Sequence, residues 1–196
     1  TFGSSVFVLF LSDLGLDKAR IGFLLSLFPF CGLVAPFISG VVTRFGLKRT
    51  YVTFYGVRKF VMLLLLAAPW VLERFGTTAL FAYTVVVLFI FAMLRATAET
   101  AYYPWSREFI PDAVRGRVGG MNNVVISLAS ALVMLIASWV LSHGTGYGRY
   151  QVLIGMACAA GVVSVLCSTA IPAERPTPVP STRETWRAMR AAMRDR

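Results

Sequence analysis

The sequence predicts an all-α, polytopic membrane protein: a six-helix transmembrane bundle whose first helix is truncated. Three observations carry the prediction. Apolar residues make up 57% of the chain and charged residues only 14%, against about 45–50% and about 25% in soluble domains. Mean hydropathy is +0.71. A soluble globule of 196 residues leaves too much surface wet to hide that much apolar area, and disordered chains are poor in Val, Ile, Leu and Phe. The apolar residues also gather in long runs separated by short polar turns, and a helix needs about 20 such residues to cross the hydrocarbon core. These runs are too long and unalternating for barrel strands, the other structure that satisfies its own backbone groups in lipid.

The chain divides into a bundle over 1–172 and a basic linker over 173–196. The opening run, about 1–11, is too short to span alone and reads as the end of a truncated first helix; a start at Thr1 rather than Met marks a fragment or processed product. Ser12, Asp13, Gly15, Asp17 and Lys18 form a turn, and a second span covers about 21–43. A basic turn, Arg44 to Arg49, leads to a third span over about 50–72. Glu73, Arg74 and Gly76 break the pattern before a fourth span over about 77–102. A polar connection, Pro104 to Asp112, closes with Arg115-Gly116-Arg117 and opens a fifth span over about 120–142. The glycine-rich turn His143 to Arg149 precedes a sixth, about 150–171.

Orientation follows from the basic residues. One side holds Arg44, Lys48, Arg49, Arg107, Arg115, Arg117 and the six arginines from Arg175 to Arg196; the other holds Lys18, Arg20, Arg74 and Arg149. Twelve against four sets the first side, and with it both chain ends, in the cytoplasm. The net charge of +10 therefore reads as positive-inside bias rather than as a nucleic-acid surface. Cys31, Cys158 and Cys167 all lie in apolar runs and offer neither a disulfide framework nor metal-ligand spacing.

The turn Ser39-Gly40-Val41-Val42-Thr43-Arg44-Phe45-Gly46-Leu47-Lys48-Arg49 resembles the signature loop between the second and third helices of the major facilitator superfamily. That pattern runs Gly, three residues, Asp-Arg, an apolar residue, Gly, then a basic cluster. Arg44, Gly46, Lys48 and Arg49 match it; Ser39 stands for the first glycine and Thr43 for the acid that helps latch the cytoplasmic gate. Physically, Gly46 permits a tight turn, and the basic residues can reach helix C-termini or lipid phosphates. The connection Pro111-Asp112 to Arg115-Gly116-Arg117, followed by Gly119-Gly120, is similar to the loop between helices four and five in bacterial members. The resemblance implies the N-terminal half of a secondary transporter, with a second six-helix half after Arg196. The plainer reading of the same turn is a generic positive-inside hairpin.

Charges within spans are expensive and face a cavity or a partner. Arg58 and Lys59 lie about 12 Å into span three at 1.5 Å per residue. Arg95 and Glu99, four residues apart on span four, share a face. The resemblance puts Arg95 at the helix-four arginine linked to proton coupling, although Ala98 and Glu99 replace the Gln-Gly that follows it in the family. One reading makes Arg58, Arg95 and Glu99 an anion-attracting or proton-linked site. The other pairs them near the cytoplasmic mouth, with Arg58 and Lys59 snorkelling to the interface. Asn123, Ser127 and Ser130 share a face of span five, as helix glue or as the lining of a water-filled path. Pro29 and Pro36, with Gly32 and Gly40, would loosen span two. The tail Glu184 to Arg196 reads as an amphipathic helix on the anionic leaflet or as a solvated linker.

Enzyme chemistry has no parts here. His143 is the single histidine, the glycine-rich turn lacks the strand and Lys-Ser/Thr of a phosphate loop, and no Gly-x-Ser-x-Gly occurs. No cofactor is expected. The expected function is secondary active transport of a small solute across the cell (inner or plasma) membrane by alternating access, driven by the solute's own gradient or by that of a co-transported proton or cation; the deep basic residues point to an anionic or polar solute, and an apolar drug-like efflux substrate stays open. The alternative is a non-transporting membrane sensor or assembly module that recruits a partner through its basic tail.

Overall fold

A computed structural model describes residues 5–35, 37–38, 42, 45–144 and 146–171. Its regular elements are all helical: α1 (Ser5–Asp13), α2 (Lys18–Gly32), α3 (Leu47–Leu63) with a 3-10 turn at Leu64–Ala67, α4 (Ala68–Phe109), a 3-10 turn at Asp112–Val114, α5 (Arg115–His143) and α6 (Gly148–Ala170). Among the described residues there is no strand. The all-α membrane fold is therefore observed, and the stretches Leu47–Arg107, Arg115–His143 and Gly148–Ala170 are long and apolar enough to cross a membrane. The first of these is 61 residues long, about three times the hydrocarbon thickness if continuous. It breaks at Gly76 (φ 78°, ψ −179°) into two helical stretches, each long enough for a single pass.

The turns explain where the helices stop. The described residues with positive φ are Gly15, Gly46, Gly76 and Gly146, one in each hairpin except that between α4 and α5. A side chain is strained in that region, so each glycine is where the chain can reverse. At the end of α1 the Leu16 amide donates to the Leu11 carbonyl (3.2 Å) and the Gly15 amide to Ser12 (2.9 Å). This is a Schellman end, and its two flanking leucines, Leu11 and Leu16, are buried together. The α4–α5 connection turns differently: Ile110, extended because Pro111 follows, ends α4.

Two helices depart locally from the sequence reading. Span two is interrupted after Gly32, where the Leu33 and Val34 amides bond three residues back, to Phe30 (3.1 Å) and Cys31 (3.2 Å), and the described residues beyond, Ala35, Phe37, Ile38 and Val42, are helical again. Pro29 withholds a helical donor just upstream, so the helix tightens for a turn before it resumes. In contrast, α4 runs through Pro104 to Phe109, across most of the segment expected to be a polar connection. Trp105 explains this. Its indole is buried against Val42, Leu47, Ala101 and Tyr51, and Tyr51 lies 5.5 Å from it ring to ring. That packing holds the turn that proline alone would weaken.

α2 packs on α4, and α3 on α4 and α6. A large apolar cluster joins α1, α2, the end of α3 with its 3-10 turn, α4 from Ala68 to Phe91 and the first half of α6, while a smaller one around Trp105 closes the opposite end. α5 stands apart, with Ala137 its one buried residue among those described.

Candidate functional site

The basic turn ends in a built contact. Gly46 takes φ +89° immediately before α3, and Lys48, in the first turn of α3, reaches across to α6. Its ammonium donates to the carbonyls of Thr169 (2.9 Å) and Ile171, which lie where a helix leaves its last C=O groups without intrahelical donors. A cation there also meets the negative end of the helix dipole. Arg49 is exposed. Ser39, Gly40, Thr43 and Arg44, like Pro36 and the tail from Pro172, lie outside the described residues.

The charged residues of spans three and four converge. Arg95 Nε donates to Glu99 Oε1 at 2.7 Å, one turn apart on α4, and both side chains keep 46% of their surface open. Arg58, on α3, is within electrostatic reach of both. Its guanidinium lies 4.4 Å from the centre of the Tyr55 ring and 5.3 Å from that of Phe91. Its Nε is buried and has no hydrogen-bond partner. Lys59 turns toward α6: its ammonium is 4.8 Å from the Tyr55 ring centre, and its stem fills the space that a side chain at Gly161 would need. Arg58 and Lys59 therefore fold onto an aromatic ring instead of extending along the helix to an end. A cation over an aromatic face is worth about 2 kcal/mol when desolvated, which favours this over snorkelling.

Helix length also changes where Arg95 sits. With α4 reaching Phe109, Arg95 is two residues from the middle of 77–109, where the shorter span 77–102 put it about five from the middle and toward the inner end. Arg58 is three residues from the middle of its helix by either set of bounds, 47–75 or 50–72.

Asn123 and Ser127 are exposed on α5. Ser130, the third member of that stripe, lines a cavity of about 780 Å³ between α1, α3, α5 and α6. The cavity wall is mostly aliphatic and aromatic; the hydroxyl-bearing residues in it are Ser130, Tyr55 and Tyr150.

A second polar cluster was not singled out from the sequence. Asp13, at the end of α1, accepts from Arg149 Nη2 and from the Tyr150 hydroxyl, both at 2.6 Å. The Tyr150 hydrogen bond is the main cause that holds the Asp13 carboxyl below its ordinary range, with Arg149 adding to it; desolvation pushes the other way. The signal was present: Asp13 and Arg149 lie in turns that the topology puts on one side. Among the described residues no group of three or more His, Cys, Asp and Glu could hold a metal ion.

Comparison with known proteins gives one match, of residues 1–196 to the family model described as Major Facilitator Superfamily. No curated protein and no solved structure matches.

Proposed function

The chain belongs to the major facilitator superfamily and is a multi-pass membrane transport protein, and on that premise we propose that it is the N-terminal six-helix half of a secondary active transporter. In this reading the bundle rocks against a second six-helix half, after Arg196, around a site at mid-depth. The solute is anionic or polar, and its own gradient or that of a co-transported proton or cation drives it. In this reading both chain ends face the cytoplasm, which the twelve basic residues against four support.

The observation that carries the proposal is the Arg95–Glu99 ion pair, half open and beside Arg58 in the middle of two apolar helices. Charges at that depth are maintained only where water, a ligand or another charge faces them. Arg58 and Arg95 attract the anionic group. Glu99 holds Arg95 in place until ligand or proton competes for it. Lys48, Gly46 and the rest of the signature turn form the hinge on the cytoplasmic side, and Asn123 and Ser127 line the path from α5.

The test is uptake by proteoliposomes of the complete protein, under either gradient, across a broad solute panel, with Arg95→Ala and Glu99→Gln alongside the parent. Accumulation that both substitutions abolish is expected. A parent that accumulates nothing removes the transporter reading, and substitutions that leave uptake intact remove the site.

A further inference from the structure

The start of α6 carries an arginine whose fork is split between two other helices. Arg149 Nη2 donates to Asp13 Oδ2 of α1 at 2.6 Å, and Nη1 to the Leu141 carbonyl of α5 at 3.4 Å. Gly144 makes room for it, since a Cβ there would come within 2.6 Å of that of Arg149. Asp13 is held a second time by the Tyr150 hydroxyl, at 2.6 Å. Beneath this node the Phe10 and Tyr150 rings meet at 5.2 Å, both 3% exposed. Both also line the cavity between α1, α3, α5 and α6, and of its wall on α1 and α6 they lie nearest Asp13 and Arg149 in the chain. The ring pair therefore closes the cavity at the end away from the signature turn, and the polar node sits over it. α5 depends on the same place: Ala137, its one buried residue among those described, is in the cavity wall one turn below Leu141.

We infer that Asp13, Arg149 and Tyr150 form a releasable latch: closed, it ties α1 to α6 and to the end of α5 over the Phe10–Tyr150 pair, and parted, it opens the cavity on that side. The inference rests on the alternating-access reading, since it names a contact that separates when the outer side opens. Two features make the node a latch rather than a permanent staple. Its ion pair is partly wet, with 28% of the Arg149 side chain and 38% of the Asp13 side chain exposed, so water competes for both charges and the pair is weak. The closed form also leaves Arg149 Nε buried without a hydrogen-bond partner, a cost that hydration removes on opening. The bonds to Asp13 and the burial of the rings favour the closed form, and the stranded donor favours the open one. Contacts balanced in this way give two arrangements close in free energy, which is what a moving part requires.

The experiment reads labelling of Ala137→Cys by a membrane-impermeant thiol reagent added outside intact cells that make the complete protein, with labelled sites located by peptide mass spectrometry. In the otherwise parental chain position 137 reacts slowly. Asp13→Asn speeds its labelling by about tenfold or more, the worth of one charge-assisted hydrogen bond, and Tyr150→Phe, which keeps the ring, does so by a smaller factor. Glu73→Gln, which changes an exposed acid by the Gly76 turn, leaves the rate unchanged. Cys158, buried against the Lys59 carbonyl of α3 and outside the cavity wall, stays unlabelled throughout. Equal rates at 137 with and without the Asp13 carboxylate overturn the inference, and so does labelling of Cys158 that rises in step, since the node then only holds the fold. A second measurement compares one protein with itself. Asp13→Cys with Arg149→Cys, joined by a short cleavable thiol crosslinker, loses uptake by about tenfold or more and regains it on cleavage. Uptake unchanged by the crosslink overturns the latch and keeps the transporter reading; a parent that moves no solute removes that reading, and labelling at 137 still decides this one.

Discussion

Replacing Lys48 by Met keeps the length of the side chain and removes its donors, leaving the Thr169 and Ile171 carbonyls at the end of α6 without them. One of the two bonds is part-buried and the other exposed. A hydrogen bond from a charged group contributes about 1.5 kcal/mol at the low end when part-buried, and an exposed one about 0.5 kcal/mol, so the total is about 2 kcal/mol. At about 2–4 °C per kcal/mol for a chain this size, thermal unfolding in nanodiscs should fall by about 4–8 °C. The loss should be local. Amides over 166–171 should exchange faster in Lys48→Met, and Lys48→Arg should restore most of the protection, since a guanidinium still donates to both carbonyls. If Lys48→Met melts with the parent and exchange over 166–171 is unchanged, the clamp contributes nothing and the geometric argument for the signature turn fails.

The remaining predictions concern three other contacts. Because the Asp13 carboxyl is held below its ordinary value of 3.8, its link to Tyr150 and Arg149 is at full strength above that pH and is lost as pH falls through the lowered value. Melting curves of the parent should drop more steeply below pH 3.8 than those of Asp13→Asn, and parallel curves would remove the link. Gly46→Ala puts a side chain at φ +89° and should cost about 1–2 kcal/mol, read as lower thermal stability with the helical circular-dichroism signal retained; unchanged melting would contradict that backbone geometry. The Arg95–Glu99 pair is an open i,i+4 pair, worth about 0.3–0.5 kcal/mol. A double-mutant cycle with Arg95→Gln and Glu99→Gln should show stability coupling no larger than that, while uptake falls by about tenfold or more. Coupling of several kcal/mol would mark the pair as structural.

Much of the fold was legible in the residues alone, for a physical reason. Lipid leaves a polypeptide little choice: long apolar runs must be helices, and the turns between them are polar. Gly15, Gly46 and Gly76 marked their hairpins because reversal there needs positive φ. Arg95 and Glu99, four residues apart, were bound to share a face. Tertiary packing decided what periodicity could not. Trp105, buried against Val42 and Leu47, carries α4 past Pro104, and that extension moves Arg95 to the middle of its helix. Whether Arg58 and Lys59 reach for an interface or fold onto Tyr55 depends on Phe91 and Gly161, which are distant in the chain. The partners of Asp13 lie 136 and 137 residues away. Local pattern sets which segments are helices; the neighbours of each charge exist only once those helices pack.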